Sequence, residues 1–193
     1  MVDAWTETCL IQMAKKETAL ASEVQVNGVT ETVDIDLGDK DSEWTALLNG
    51  GRVVNYTPMA DTSVTLDCYC VAATQGAGAT QLGFFDALMG NTTVQSDRVH
   101  DKYRLTILWT DATAITTAGA ALVTTQTGLR FVGAEGHVTS VKPSMTDGRL
   151  KFTVTIKFPA FDKAGNACVF FESCDTTGTL GALLTYTGTT YLR

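Results

Sequence analysis

The stretch MTDGRLKFTVTIKF, from Met145 to Phe158, reads as a tight turn running into a strand with one dry and one wet face. Leu150, Phe152, Val154, Ile156 and Phe158 alternate with Lys151, Thr153, Thr155 and Lys157. A period of two marks a strand, because successive side chains point to opposite faces. Asp147-Gly148 just ahead is a favoured two-residue hairpin turn, since both residue types tolerate positive φ. With those two as the loop, Met145 falls opposite Leu150 and Val141 opposite Val154, so the apolar faces of the two arms match in register.

The rest of the composition agrees with a mainly β chain. Of 193 residues, about one in six is Thr and only 18% are charged, which favours strands over helices. The length fits one domain, residues 1–193, with a sizeable core. Three prolines and seventeen glycines argue against collagen-like and disordered classes. The formal net charge is −7 and Lys and Arg form no cluster, which argues against tight binding to nucleic-acid phosphates. An acidic protein can still sit beside DNA if its task is to avoid holding it. No stretch approaches the roughly 20 apolar residues that span a bilayer, so no membrane partner is expected. Asp3 and Glu7 precede a short apolar patch, the wrong order for a signal peptide, and assembly in a cytoplasm is expected. Cys9, Cys68, Cys70, Cys168 and Cys174 are an odd set without zinc-type spacing, and Cys68 and Cys70, on one face of one strand, are read as small buried hydrophobes.

Working outward, Met1 to Ala21 is either a short helix or an extended arm. Asn27-Gly28 signals a second hairpin between 23–26 and 29–36, with Val24, Val26, Val29, Val33 and Ile35 on one face. Glu23, Gln25, Thr30, Thr32, Asp34 and Asp36 take the other face, which carries no cation. Asp41 or Ser42 would cap a short helix over Glu43 to Leu48, ended by Asn49-Gly50-Gly51. Thr62 to Ala73 reads as a strand with Val64, Leu66, Cys68 and Cys70 opposing Ser63, Thr65, Asp67 and Tyr69. Residues 74–100 are rich in Gly yet carry a cluster of large apolar side chains. That segment either folds back on its own domain or docks onto another subunit. Tyr103 to Thr110 and Ala167 to Glu172 read as strands, and 176–193 as a possible arm. Pro143 demands an edge or a bulge in its strand.

No catalytic constellation emerges. His100 and His137 stand in polar or strand contexts without a nucleophile partner, and no nucleophile elbow, His-Glu-x-x-His or P-loop occurs. Asp34, Asp36, Asp39 and Asp41 do not match a calcium loop, since the Gly and terminal Glu spacing fail. The expectation is a protein that is not an enzyme and needs no cofactor or metal.

The order of parts resembles the major tail tube proteins of tailed bacteriophages and related archaeal viruses. The residues that carry the likeness are the early hairpin, Leu47-Leu48-Asn49-Gly50-Gly51-Arg52-Val53-Val54-Asn55-Tyr56, and the Thr62 to Ala73 strand. Further on come Tyr103 to Trp109, Leu129-Arg130-Phe131-Val132, and Val138 to Phe161 with Lys142-Pro143-Ser144 and Asp147-Gly148. The resemblance implies a β-sandwich or half-barrel with one short flanking helix and long loops. It implies hexameric rings that stack into a tube, with DNA passing through without tight binding. Tail sheath, tape measure, terminator and baseplate proteins would be its partners, and the tail of a virion its location.

On that reading the candidate lumen-facing residues are Glu23, Thr30, Thr32, Asp34 and Asp36 from one strand pair, and Ser63, Thr65 and Asp67 from another. Leu82, Phe84, Phe85, Leu88 and Met89 are the candidate inter-ring contact. The competing reading is a β-sandwich binding module of a virion, for decoration or host attachment.

Overall fold

The computed structural model describes residues 8–15, 23–26, 30–39, 42–56, 60–69, 102–175 and 178–186. Among these the protein is mainly β and its strand pairs are antiparallel. The strands are β1 (Thr8–Lys15), β2 (Val24–Gln25), β3 (Thr30–Asp36), β4 (Ser42–Ala46) and β5 (Arg52–Tyr56). They continue with β6 (Thr62–Tyr69), β7 (Tyr103–Thr110), β8 (Gly128–Thr146), β9 (Arg149–Phe158) and β10 (Val169–Cys174). Eight of them form one sheet in the order β2-β1-β7-β8-β9-β6-β3, with β10 also on β8, while β4 and β5 pair only with each other.

The hairpin from which the sequence reading began has the expected geometry. Asp147 and Gly148 have φ of 50° and 74°, and Met145 pairs with Leu150 and Val141 with Val154. Counted from the closing pair Thr146–Arg149, Pro143 falls where an N–H would point away from β9. The missing donor therefore costs that ladder nothing.

β8 is 19 residues long and serves two half-sheets. Its first part pairs with β7 and β10, its second with β9. The change falls at Gly133–Gly136, where the register shifts and Glu135 has φ of 56°. The Phe158 ring lies against both glycines, so close that a Cβ at position 133 would stand 2.9 Å from it and one at 136 nearer still. Tyr186 supports the bend, its hydroxyl accepting the Glu135 N–H at 3.1 Å while Lys102 pairs with the Glu135 carboxylate. The backbone N–H of Cys168 donates to Ala160 O at 3.0 Å, so 161–167 loops out and β10 continues along the edge that β9 leaves.

One apolar core is shared by both halves. Ile11, Met13, Leu105, Ile107 and Phe131 come from one, and Val64, Leu66, Val154, Ile156 and Phe158 from the other. Each such side chain contributes about 1.5–3 kcal/mol when buried. The opposite face of β1, β7 and β8 carries the buried Gln12, Arg104 and Arg130 and is covered by 111–127 and 178–186. Arg130 donates to Glu172 at 2.6 and 3.0 Å, to Ala120 O at 3.0 Å and to Gly181 O at 2.8 Å. Arg104 pairs with the buried Glu23 and donates to Leu184 O at 2.7 Å. The segment 178–186 forms a strap whose Leu180, Leu183 and Tyr186 are buried against the domain.

Two expectations need correction. The short helix over 43–48 is strand β4, paired with β5 from Ser42↔Tyr56 to Ala46↔Arg52. Six residues make too little helix to persist without a packed face, and every residue of β4 is exposed. The glycines read as a helix cap instead close the hairpin, with Gly50 at φ 82° and Leu47 N–H donating to Gly51 O at 2.8 Å. The hairpin over 23–36 does not form, because β2 pairs with β1 while β3 pairs with β6. Residues 8–15, inside the segment read as a helix or arm, are a strand held along its whole length by β7. Within the proposed C-terminal arm, 178–186 packs onto the domain as the strap. The 74–100 segment lies outside the described residues.

Gly136→Ala is expected to destabilise the protein by about 1–3 kcal/mol through overpacking against Phe158. Gly181→Ala, whose Cβ would meet nothing within 4 Å, is the control expected to stay within about 0.5 kcal/mol. Urea unfolding followed by Trp fluorescence reads both.

Candidate functional site

The surface that gathers the sequence-predicted residues is the outer face of β3, β6, β9 and β8. β6 alternates with buried Val64, Leu66 and Cys68 inward, and Ser63, Thr65, Asp67 and Tyr69 half-buried outward. Cross-strand register then sets rows. Asp36, Ser63, Lys157 and His137 form one, Asp34, Thr65, Thr155 and Ser140 the next, and Thr32, Asp67, Thr153 and Lys142 a third. Tyr69, Lys151 and Ser144 follow. Directly opposed side chains in an antiparallel pair share a face and lie within contact range.

A hydrogen-bonded network holds the middle of this face. Asp67 accepts from Thr153 Oγ1 at 2.6 Å and Thr32 Oγ1 at 3.0 Å. Lys151 Nζ lies 2.8 Å from Glu31 and 3.2 Å from Asp67, and 5.9 Å above the Tyr69 ring. Tyr69 OH donates to Glu31 at 3.0 Å. The Thr153 hydrogen bond, then those of Thr32 and Lys151, hold the Asp67 carboxyl below its usual range. Hydrogen bonds from Lys151 and Tyr69 do the same for Glu31. The pairing in turn raises the Lys151 ammonium, chiefly through its hydrogen bond to Glu31.

Six of the eight candidate lumen residues therefore share one face: Thr32, Asp34, Asp36, Ser63, Thr65 and Asp67. Two do not. Glu23 is buried beside Arg104 on the other side of the molecule, where burial raises its carboxyl despite that partner. Thr30 turns inward because the register shifts between Thr30 and Thr32, and its hydroxyl donates to Val26 O at 2.7 Å and lies 3.3 Å from Cys68 Sγ. Nor is the assembled face acidic without cations. Glu31, Asp34, Asp36 and Asp67 are matched by Lys142, Arg149, Lys151 and Lys157 from β8 and β9. Reading one hairpin in isolation missed cations that arrive from strands more than 80 residues away; their wet alternation with Thr was the available signal. The candidate inter-ring residues Leu82, Phe84, Phe85, Leu88 and Met89 lie outside the described residues.

A second exposed feature is the β4–β5 hairpin, which presents Trp44, Leu47, Leu48 and Val53 to solvent. Large apolar groups clustered on an exposed hairpin mark an interaction surface.

No protein-family model matches the chain, and no curated protein does. Among solved structures it is similar to a chain of the PVC sheath-tube complex of an extracellular contractile injection system in the extended state. Identity there is 14%, 84% of this chain and 88% of that chain are covered, and the TM-score is 0.49. It is also similar to a chain of the anti-feeding prophage cap, the AFP tube terminating cap. That match has 11% identity, covers 85% and 88% of the two chains, and has a TM-score of 0.49. A crystal structure of Hcp protein matches with 10% identity, 86% and 99% coverage and a TM-score of 0.37.

Because the Asp67 and Glu31 carboxyls are depressed in the folded state, the unfolded chain binds their protons first as pH falls. Their stabilisation is present above the ordinary carboxylate range of about pH 4 and is lost below it. Asp67→Asn should therefore show a shallower loss of stability than the wild type between about pH 4 and 2. Parallel acid limbs in thermal melts would count against the network.

Proposed function

We propose that this chain is a structural subunit of a viral tail tube, polymerising as stacked hexameric rings into a conduit for genome delivery. The observation that carries the reading is the four-stranded face of β3, β6, β9 and β8. It is wet, rich in Thr, balanced in charge and backed by the shared core, and among the described residues neither the outer edge of β3 nor the 137–146 stretch of β8 opposite β9 is paired to a further strand. A sheet with both edges open is a template for pairing with further chains, and closure into a barrel removes those edges. Joined around a ring, the polar faces line the lumen. Four carboxylates against four cations give a polyanion no net attraction there, and the overall −7 keeps the assembly from gripping DNA. A lining balanced in this way is indifferent to DNA, where a purely acidic one would repel it.

The β4–β5 hairpin, with Trp44 and Leu48 exposed, supplies apolar contact along the stacking direction, together with Leu82, Phe84, Phe85, Leu88 and Met89. Sheath, tape measure, terminator and baseplate proteins are the partners this role implies. The proposed activity is mechanical.

Negative-stain electron microscopy of the purified protein across a concentration series tests the reading, with hollow tubes or stacked rings expected. Trp44→Ser with Leu48→Ser should leave the subunit folded by circular dichroism and shorten or abolish the stacks. Uniform small particles from the wild type at every concentration, with or without a nucleating tail fragment, would overturn it.

A further inference from the structure

The polar half-sheet is electrically asymmetric across its width, and the geometry points to what that asymmetry does. β3, at one side, contributes charged groups of one sign to the outward face: the carboxylates of Glu31, Asp34 and Asp36. β8, at the other, contributes His137 and Lys142 and no carboxylate between them on that face. Lys151 in the middle is already engaged by Glu31 and Asp67. Asp34 and Lys142, by contrast, make no side-chain hydrogen bond or ion pair among the described residues. We infer that the acidic edge of β3 in one copy lies beside the 137–142 edge of β8 in the next, with Asp34 and Asp36 against Lys142. This charge match makes the junction head-to-tail.

Strand direction supports the pairing. β3, β6, β9 and β8 alternate in direction, since each neighbouring pair is antiparallel. Four is an even number, so β8 of one copy and β3 of the next also run antiparallel when copies repeat by rotation. The ladder continues across the junction without a reversal. Unlike surfaces meet in such a contact, which generates a ring or a helical filament rather than a closed two-fold dimer.

Pro143 limits how far the new ladder runs. Its missing N–H falls on the side of β8 that no strand among the described residues pairs beyond Gly136, which leaves 137–142 as the pairing stretch beside the seven residues of β3. Main-chain hydrogen bonds between edges supply affinity and carry little specificity. The charges therefore select which edge meets which, and a two-residue stagger sets Asp34 beside Lys142. Like charges would meet in either edge-to-self pairing, β3 on β3 or β8 on β8, and oppose it.

The inference rests on the tube reading for its ring geometry, and charge reversal tests it separately. Asp34→Lys with Asp36→Lys reverses one edge, and Lys142→Glu the other. Each variant alone is expected to remain folded and to lose pelletable assembly, because a reversed edge meets a native one. An equal mixture is expected to regain it. There the reversed β3 of one variant meets the reversed β8 of the other, and the remaining junctions are native. Wild-type assembly should weaken as salt rises toward 1 M, where the screening length is about 3 Å. Undiminished assembly of either single-edge variant would overturn the inference, as would a mixture that fails to recover. Carbodiimide crosslinking of mixed isotope-labelled wild-type copies reads the junction where no tube forms. An Asp34–Lys142 link between copies without tubes would uphold the junction and sink the tube. Tubes without that link, or without the Asp36–Lys142 link, would do the reverse.

Discussion

The close approach of the Phe158 ring to Gly133 and Gly136 is the contact on which the architecture hangs. It lets one long strand belong to two half-sheets, because only glycine leaves room for an aromatic ring against the backbone at a bend. The ring also meets Phe131 edge-on at 6.3 Å, so the bend and the core are tied by one side chain. Left of the bend β8 carries β7 and β10, right of it β9, and the shared core is what the two halves enclose. The left-handed Glu135 between the glycines is a strained position for a non-glycine residue. Lys102 and Tyr186 hold it there, and Tyr186 belongs to the strap, so the covering segment and the bend support each other.

The strap is tied to the sheet by buried guanidinium groups and to 111–127 by the Leu122↔Leu180 bridge. Arg130 reaches Gly181 O and Arg104 reaches Leu184 O, while Glu172 and Glu23 neutralise the two cations. Removing one member of such a buried pair costs about 3–5 kcal/mol, because the other is left as an uncompensated charge. The arrangement accounts for two arginines in the least solvated part of a chain with few charges. It also separates the molecule into a structural side, where charge is buried and paired, and the β3–β6–β9–β8 side, where charge is exposed and spread in rows.

That second side is built as rows of polar side chains across four strands. Its groups are arranged for breadth: threonines alternate with carboxylates and ammonium groups across four strands, and its best-connected member, Asp67, is tied into hydrogen bonds that keep it ionised. A broad hydrated surface whose four carboxylates and four cations balance in sum suits a wall better than a pocket. The proposed lumen follows from that distribution, and the junction polarity from the fact that its carboxylates gather at one edge.

Local rules determined much of this from the sequence. The Asp147-Gly148 turn and its register followed from φ preferences, the alternation of β6 and β9 from a period of two, and the edge position of Pro143 from its missing donor. These depend on neighbours within a few residues, which a sequence displays directly. Tertiary structure alone decided the partners. Val24 and Thr30 looked like two arms of one hairpin, yet their strands joined opposite ends of the sheet path. Glu43-Trp44 looked like a capped helix until β5 supplied hydrogen-bond partners, and Glu23 looked solvated until Arg104 lay beside it. Period-two patterns say which face of a strand is wet but not which strand lies next to it. Pairing depends on the shared core and on backbone groups that every strand offers alike. The balance of charge on the polar face, a sum over four strands, could therefore exist only once the chain had folded.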